Sequence, residues 1–343
     1  MTALATERAA LEPNTRVSWP DAARGVGIAL VVFGHVIAGL VNAHVLTSTP
    51  MVSWTYFTIY TFHMPLFFLL SGLFLADGVK RGLEDFLIGK AWTIVYPYFL
   101  WSLVQGALQM GMAGVLDEAP AQHALMSIAW QPISQFWFLY ALMLCHLLGL
   151  ALKARPIPLL VFGVVGGVAA NWLPFTNIIA KTLHFLPYYA LGVALAPYAL
   201  RWRLGRIWMA FIALVAFAAA TVLGGFASGM IAEKLVVAPA ALAGTALVVL
   251  LALLARDSVA VALQWLGRAS MTILVLHILA LVFTRMALEQ LGIDEPAIHL
   301  AAGLAIGVLV PALIHYGLES LGALPLFGFA RPRRAPAVVN AAS

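Results

Sequence analysis

Ten apolar runs, each about the length needed to cross a bilayer, leave this chain few folds to choose from. They fall near residues 22–41, 52–76, 91–113, 135–152, 157–173, 178–198, 207–227, 235–255, 270–288 and 298–320. A hydrocarbon core of roughly 30 Å takes about 20 apolar residues per helix. Backbone facing lipid must satisfy its own hydrogen bonds, so the spans are helices. Only 10% of residues are charged and 63% are hydrophobic, against about a quarter charged in an average soluble domain. The expected fold is all-α, a polytopic transmembrane bundle of about ten spans in the cell membrane. Two runs are interrupted: 178–198 carries Lys181, His184 and two prolines, and the third is broken around Pro97.

Charge sets the expected orientation. With the N-terminus in the cytoplasm, only Lys181, Lys234 and Arg285 fall on the outer side, and the other Lys and Arg residues of the 19 fall inside. That bias follows the positive-inside rule and puts both termini in the cytoplasm. The sequence pI of 9.5 does not point to nucleic acid, because the basic residues lie between apolar runs and form no patch. The single cysteine, Cys145, excludes a disulfide framework. Residues 1–15 form an expected cytoplasmic segment with no cleavable signal, and 16–320 the membrane domain. Residues 321–343 are an expected basic, disordered tail. Outer loops are short, the longest being 114–134, so any chemistry belongs in or at the membrane.

Ionisable groups inside spans are costly and by default face the bundle interior or water. In the first span Asp21 and Arg24 are spaced to pair on one helix face. His35 lies eleven residues beyond Arg24, within about 20° of a whole number of turns and roughly 16 Å further along. It therefore shares the Arg24 face and sits near midplane. His63, His146 and His277 fall at similar depth. These suggest a polar chamber entered from the cytoplasm past Arg24. A buried histidine can equally cap a carbonyl or bond a neighbouring helix. That plainer role suits His146, His184 and His315 best, and it is an even alternative for His63. No metal site is expected, since no two of these histidines share an i, i+3 or i, i+4 spacing and no carboxylate joins them at midplane.

RVSWPDAARGVGIALVVFGH, with its arginine and histidine separated by ten residues, resembles the first span of the acyltransferase 3 family of membrane O-acyltransferases. FHMPLFFLLSGLFLA (62–76) is similar to that family's second span, particularly its sugar O-acetylase-like branch. PYFLW (97–101), FWFLYALML (136–144), LHFLPYYALGVAL (183–195) and LGRASMTILVLHILAL (266–281) match further landmarks in order. The resemblance implies transfer of an acyl group, by family default acetyl, from cytoplasmic acyl-coenzyme A to a hydroxyl of a saccharide, lipid-linked glycan or polysaccharide. By matching position His35 is the catalytic histidine and Arg24 its partner, with Asp21 beside them. The chain departs from the family between the second and third spans, where Lys80, Arg81 and Lys90 stand, with Thr93 in place of a further arginine.

On this reading acyl-coenzyme A is a co-substrate and no cofactor is tightly bound. Its phosphates are expected among Arg24, Lys80, Arg81, Lys90 and Arg268, with the pantetheine arm reaching toward midplane. His35 would act as general base on the acceptor hydroxyl, since burial disfavours the imidazolium that loses its hydration. His63, Ser71 and His277 are candidates for positioning the substrate. The competing reading is a secondary transporter or exporter of a glycan or small polar solute, which a midplane chamber would also suit. Against it stand the Arg–His pair and the lack of a midplane acid to carry protons. A non-catalytic scaffold is the third reading. Acceptor, acyl group and oligomeric state are open at this stage.

Overall fold

A computed structural model of the chain describes residues 17–111, 126–202 and 205–332. The segment 1–15, most of loop 114–134 and the last part of the tail lie outside the described residues. Helices α1 (Trp19–Asn42), α2 (Pro50–Gly72), α3 (Leu75–Lys80), α4 (Leu83–Lys90) and α5 (Tyr96–Gly111) form the first part. They are followed by α6 (Trp137–Ala151), α7 (Pro156–Ala169), α8 (Ile178–Ala199) and α9 (Ile207–Ser228). The rest is α10 (Ala238–Leu254), α11 (Asp257–Arg268), α12 (Ser270–Gln290) and α13 (Pro296–Ser320). Among the described residues there are no strands.

Among the described residues nine helical segments are long and apolar enough to cross a membrane, and a shorter one, Pro156–Trp172, corresponds to the fifth apolar run. The packing nevertheless requires that run to carry the chain across. On α6 and α8, Trp137 stacks on Phe185 while His146 meets Tyr189, so these two helices run parallel. Gly163 of α7 faces Pro187 and Gly166 faces Leu183, so α7 runs antiparallel to α8 and returns the chain between them.

Helix starts follow local chemistry. Prolines open α1, α2, α7, α10 and α13 in the first turn, where the missing N–H costs nothing. Asn177 caps α8 by accepting from the Ile179 N–H at 2.8 Å.

The third run differs from expectation and has a physical cause. Helix begins at Leu83, eight residues before the apolar run, and passes into α5 through a π-helical turn, Ala91–Val95. Pro97 cannot donate to the turn before it. A wider turn relieves the clash without breaking the helix. Lys90, expected in a polar loop, therefore sits inside the membrane-crossing helical segment.

Helix α1 is the hub, packed by α2, α10, α11, α12 and α13. Its partners α2 and α13 are antiparallel to it: Gly27 meets Leu66 and Gly34 meets Tyr60, while Gly303 meets Val36 and Gly307 meets Val32. The closest approach is to α11, a short helix absent from the sequence expectation. A Cβ on Gly25 would lie 2.0 Å from the Leu263 carbonyl oxygen, and one on Gly267 would lie 1.7 Å from that of Asp21. Residues 321–332, expected to begin the disordered tail, instead pack on α4 and α5. Trp101 Nε1 donates to Phe327 O at 3.0 Å, and Arg331 pairs with Asp85 at 2.9 Å.

Candidate active site

Three expected histidines converge. The rings of His35 on α1 and His277 on α12 meet edge to face at 4.9 Å. Tyr60 on α2 lies 6.2 Å from His35 and 4.8 Å from His63, linking the two. Each imidazole is turned the same way: Nδ1 of His35 donates to Val31 O at 2.9 Å, His63 to Ile59 O at 2.7 Å and His277 to Ile273 O at 2.9 Å. A carbonyl only accepts, so in the neutral ring Nδ1 carries the proton and Nε2 keeps its lone pair. The His277 Nε2 is buried and has no hydrogen-bond partner among the described residues.

Two cavities meet at His35. One, of about 400 Å³, is lined by His35, Tyr60, His63 and Gln135, with Trp137, Phe138, Phe175, Phe185 and Tyr188, and reaches Lys181, His184, Glu233 and Lys234. The other, of about 680 Å³, is richer in amides and hydroxyls: Asn42, Gln105, Gln109, Ser134, Thr284, Arg285 and His299 line it. Among the described residues His35 is the one common to both linings. Beside it the Gln135 amide donates to Gln105 Oε1 at 2.9 Å, so a pair of buried glutamines, one facing each cavity, helps form the partition. Both cavities lie toward the α1 C-terminal end of the bundle, the end of His44, Lys234 and Arg285.

The cationic residues gather at the other end. Arg24 pairs with Asp21 at 2.8 Å and lies over the Phe74 ring, 5.3 Å from its centroid. The charges of Arg24 and Arg81 are both felt at Lys90. Lys80 is exposed and paired with Asp77 at 3.3 Å. Arg268 lies with Glu319 near His315, whose Nδ1 meets Thr272 Oγ1 at 2.8 Å. Ser71 lies eight residues past His63 on α2, roughly 12 Å along the axis, and lines neither cavity. Arg24, Asp21 and Lys90 line neither cavity as well.

His146, expected to cap a carbonyl or bond a neighbouring helix, bonds two: it accepts from Lys90 Nζ at 3.0 Å on Nε2. Its Nδ1 then carries the proton and donates to the Tyr189 hydroxyl oxygen at 2.7 Å. Gln105 and Gln135 were passed over in the sequence; their signal was an amide within an apolar run, where water is scarce. Among the described residues no group of three or more His, Cys, Asp or Glu could hold a metal ion.

Comparison with known proteins agrees with this architecture. The chain is 26% identical over 206 residues to the nodulation protein NolL of Mesorhizobium japonicum, covering 58% of this chain and 53% of the relative. It is 25% identical over 186 residues to NolL of Sinorhizobium fredii, covering 53% and 50%. The chain thus spans about half the length of the curated relatives it matches. No solved structure matches it. A family model described as an acyltransferase domain matches residues 17–316, which include α1 with His35 and both cavities, and the chain belongs to the acyltransferase 3 family.

Proposed function

We propose that the protein is a membrane O-acyltransferase that moves an acyl group, acetyl by family default, from cytoplasmic acyl-coenzyme A to a saccharide hydroxyl, with His35 as general base. The observation that carries this reading is the position of His35 where two cavities meet. Its Nδ1 is engaged with Val31 O, and Nε2 is left as the proton acceptor. The acceptor hydroxyl gives its proton to Nε2 as its oxygen attacks the thioester carbonyl. The carbon–sulfur bond then breaks, and the coenzyme thiolate leaves and takes the proton back from the imidazolium. Arg24, Arg81 and Lys90 would hold the anionic donor at the far end, and the rise of roughly 16 Å from Arg24 to His35 suits an extended pantetheine arm. No cofactor need be tightly bound for this chemistry.

The test is donor-dependent labelling. Membranes holding the wild-type protein, given radiolabelled acetyl-coenzyme A, should transfer label to glycan or lipid. His35→Ala should insert normally and lose about 10²–10⁴-fold in rate. Equal labelling by the variant would overturn the role of His35. Solute uptake without any labelling would favour the transport reading.

A further inference from the structure

Acetyl transfer to a saccharide leaves one of the two cavities at His35 without an occupant. The larger, with its amides and hydroxyls, suits the saccharide. The other, of about 400 Å³, is walled near His35 by Val31, Met64, Phe138 and Leu274, and on α7 by Leu160 and Val164. α7 packs on α8, α8 on α2 and α2 on α1. A cavity that reaches from His35 to α7 therefore crosses more than one interhelix spacing of roughly 8–10 Å. An acetyl group would fill only its inner end.

The polar side chains beside the inner wall are already committed within the protein. Thr61 Oγ1 donates to Phe57 O at 2.8 Å, and His63 Nδ1 to Ile59 O at 2.7 Å. The Gln135 amide donates to Gln105 Oε1 at 2.9 Å and to Val275 O at 3.2 Å. A sugar ring placed there would bury hydroxyls with few partners, which is costly, whereas a hydrocarbon chain is favoured by such walls. Charged groups stand only at the far rim. There Lys181, Glu233 and Lys234 line the cavity together, and the charge of Glu233 acts on Lys181. That rim bounds the apolar stretch.

We infer that the apolar cavity beside His35 is the subsite for the hydrocarbon chain of the acyl donor, and that it takes linear acyl groups from butanoyl to octanoyl. The thioester carbonyl sits at His35. The chain runs between Val31, Met64, Phe138 and Leu274 toward Leu160 and Val164, and the saccharide is left to the larger cavity. This rests on the acyltransferase reading and extends its donor from acetyl to longer acyl groups.

The test needs no acceptor and no turnover. Purified protein in lipid nanodiscs is titrated calorimetrically with the stable thioethers S-ethyl-, S-butyl-, S-hexyl- and S-octyl-coenzyme A, with empty nanodiscs as the blank. Affinity should rise about fourfold per added methylene up to the hexyl analogue, and level off at octyl, where the chain meets the charged rim. Leu160 is half-buried and Val164 is 55% exposed, so larger side chains there displace little of the core. Leu160→Trp with Val164→Trp should remove most of the rise while S-ethyl-coenzyme A binds as it does to the wild type, which also reports a folded donor site. Should the pair fail to bind S-ethyl-coenzyme A, Leu274→Phe repeats the test from the opposite wall. Gln109→Trp, in the larger cavity, should leave the whole series unchanged.

Equal affinity across the series in the wild type would overturn the subsite and leave the cavity to a bilayer lipid. A rise that survives the cavity-filling substitutions would also overturn it, by placing the chain in the bilayer, and one abolished by Gln109→Trp would place it in the larger cavity. If no member bound, S-ethyl included, the coenzyme A donor would fall and the subsite with it. Equal binding of every member leaves that donor standing, so the two failures are distinguishable.

Discussion

His146 is the residue whose neighbours most change its meaning. Considered alone it is one imidazole in an apolar run, and packing is the economical explanation. Next to Lys90 it becomes an acceptor that holds a half-buried ammonium in place, with Tyr189 fixing the ring from behind. Removing an acceptor from a buried donor costs about 1–3 kcal/mol, more when the donor is charged. His146→Ala should therefore let Lys90 swing away. If Lys90 holds the anionic donor, KM for acetyl-coenzyme A should rise about tenfold with kcat little changed, and His146→Gln should restore part of the affinity. A fall in kcat at constant KM would instead connect His146 to the reacting atoms. Tyr189→Phe should produce a smaller change in the same direction, because it removes only the second bond of the chain. Arg24→Lys should raise the same KM, since an ammonium cannot replace a bidentate guanidinium.

Among the helices, α11 shows best what a linear reading cannot see. Twelve residues with charges at both ends, between two apolar runs, look like a cytoplasmic loop. What makes them a packed element is a pair of glycines 242 positions apart, Gly25 and Gly267, which let two backbones touch. Small residues that permit such an approach are the usual currency of helix association in membranes. The contact is unforgiving, because the atoms facing each missing Cβ are backbone carbonyls that cannot move aside. Gly25→Val or Gly267→Val should lower stability by about 1–3 kcal/mol or more, visible as a reduced midpoint of thermal aggregation in detergent. Gly39→Ala, with nothing within 4 Å of its Cβ, is the control and should change little. By contrast the apolar runs and the Arg24–His35 face were legible, since both follow from counting along one helix. Which end of His35 the cavities occupy, and that Gln105 and Gln135 divide them, depends on α1, α2, α5, α6 and α12 packing together. No single helix carries that information.

Across the whole molecule, His35 separates two chemically different ends. Arg24, Arg81 and Lys90 lie beyond its N-terminal side, and both cavities lie toward the other. For a reaction that joins an anionic donor from one side to an acceptor from the other, a base at the partition is where the two must meet. The assignment of sides rests on the positive-inside bias, and it can be tested directly because the sole cysteine, Cys145, is fully buried. Glu84, in the first turn of α4, and Asp294, between α12 and α13, are exposed at opposite ends of the bundle. In intact cells a membrane-impermeant thiol reagent should label Asp294→Cys and leave Glu84→Cys untouched until the membrane is permeabilised. The reverse pattern would turn the bundle over. It would put Lys181, Lys234 and the cavities on the cytoplasmic side and Arg24 on the far side, and the coenzyme could then no longer reach His35 past Arg24. Labelling of both from outside would mean that the chain crosses an even number of times between α4 and the α12–α13 turn, contrary to the packing of α7. The accessibility of two cysteines therefore decides whether the donor and acceptor ends are assigned correctly.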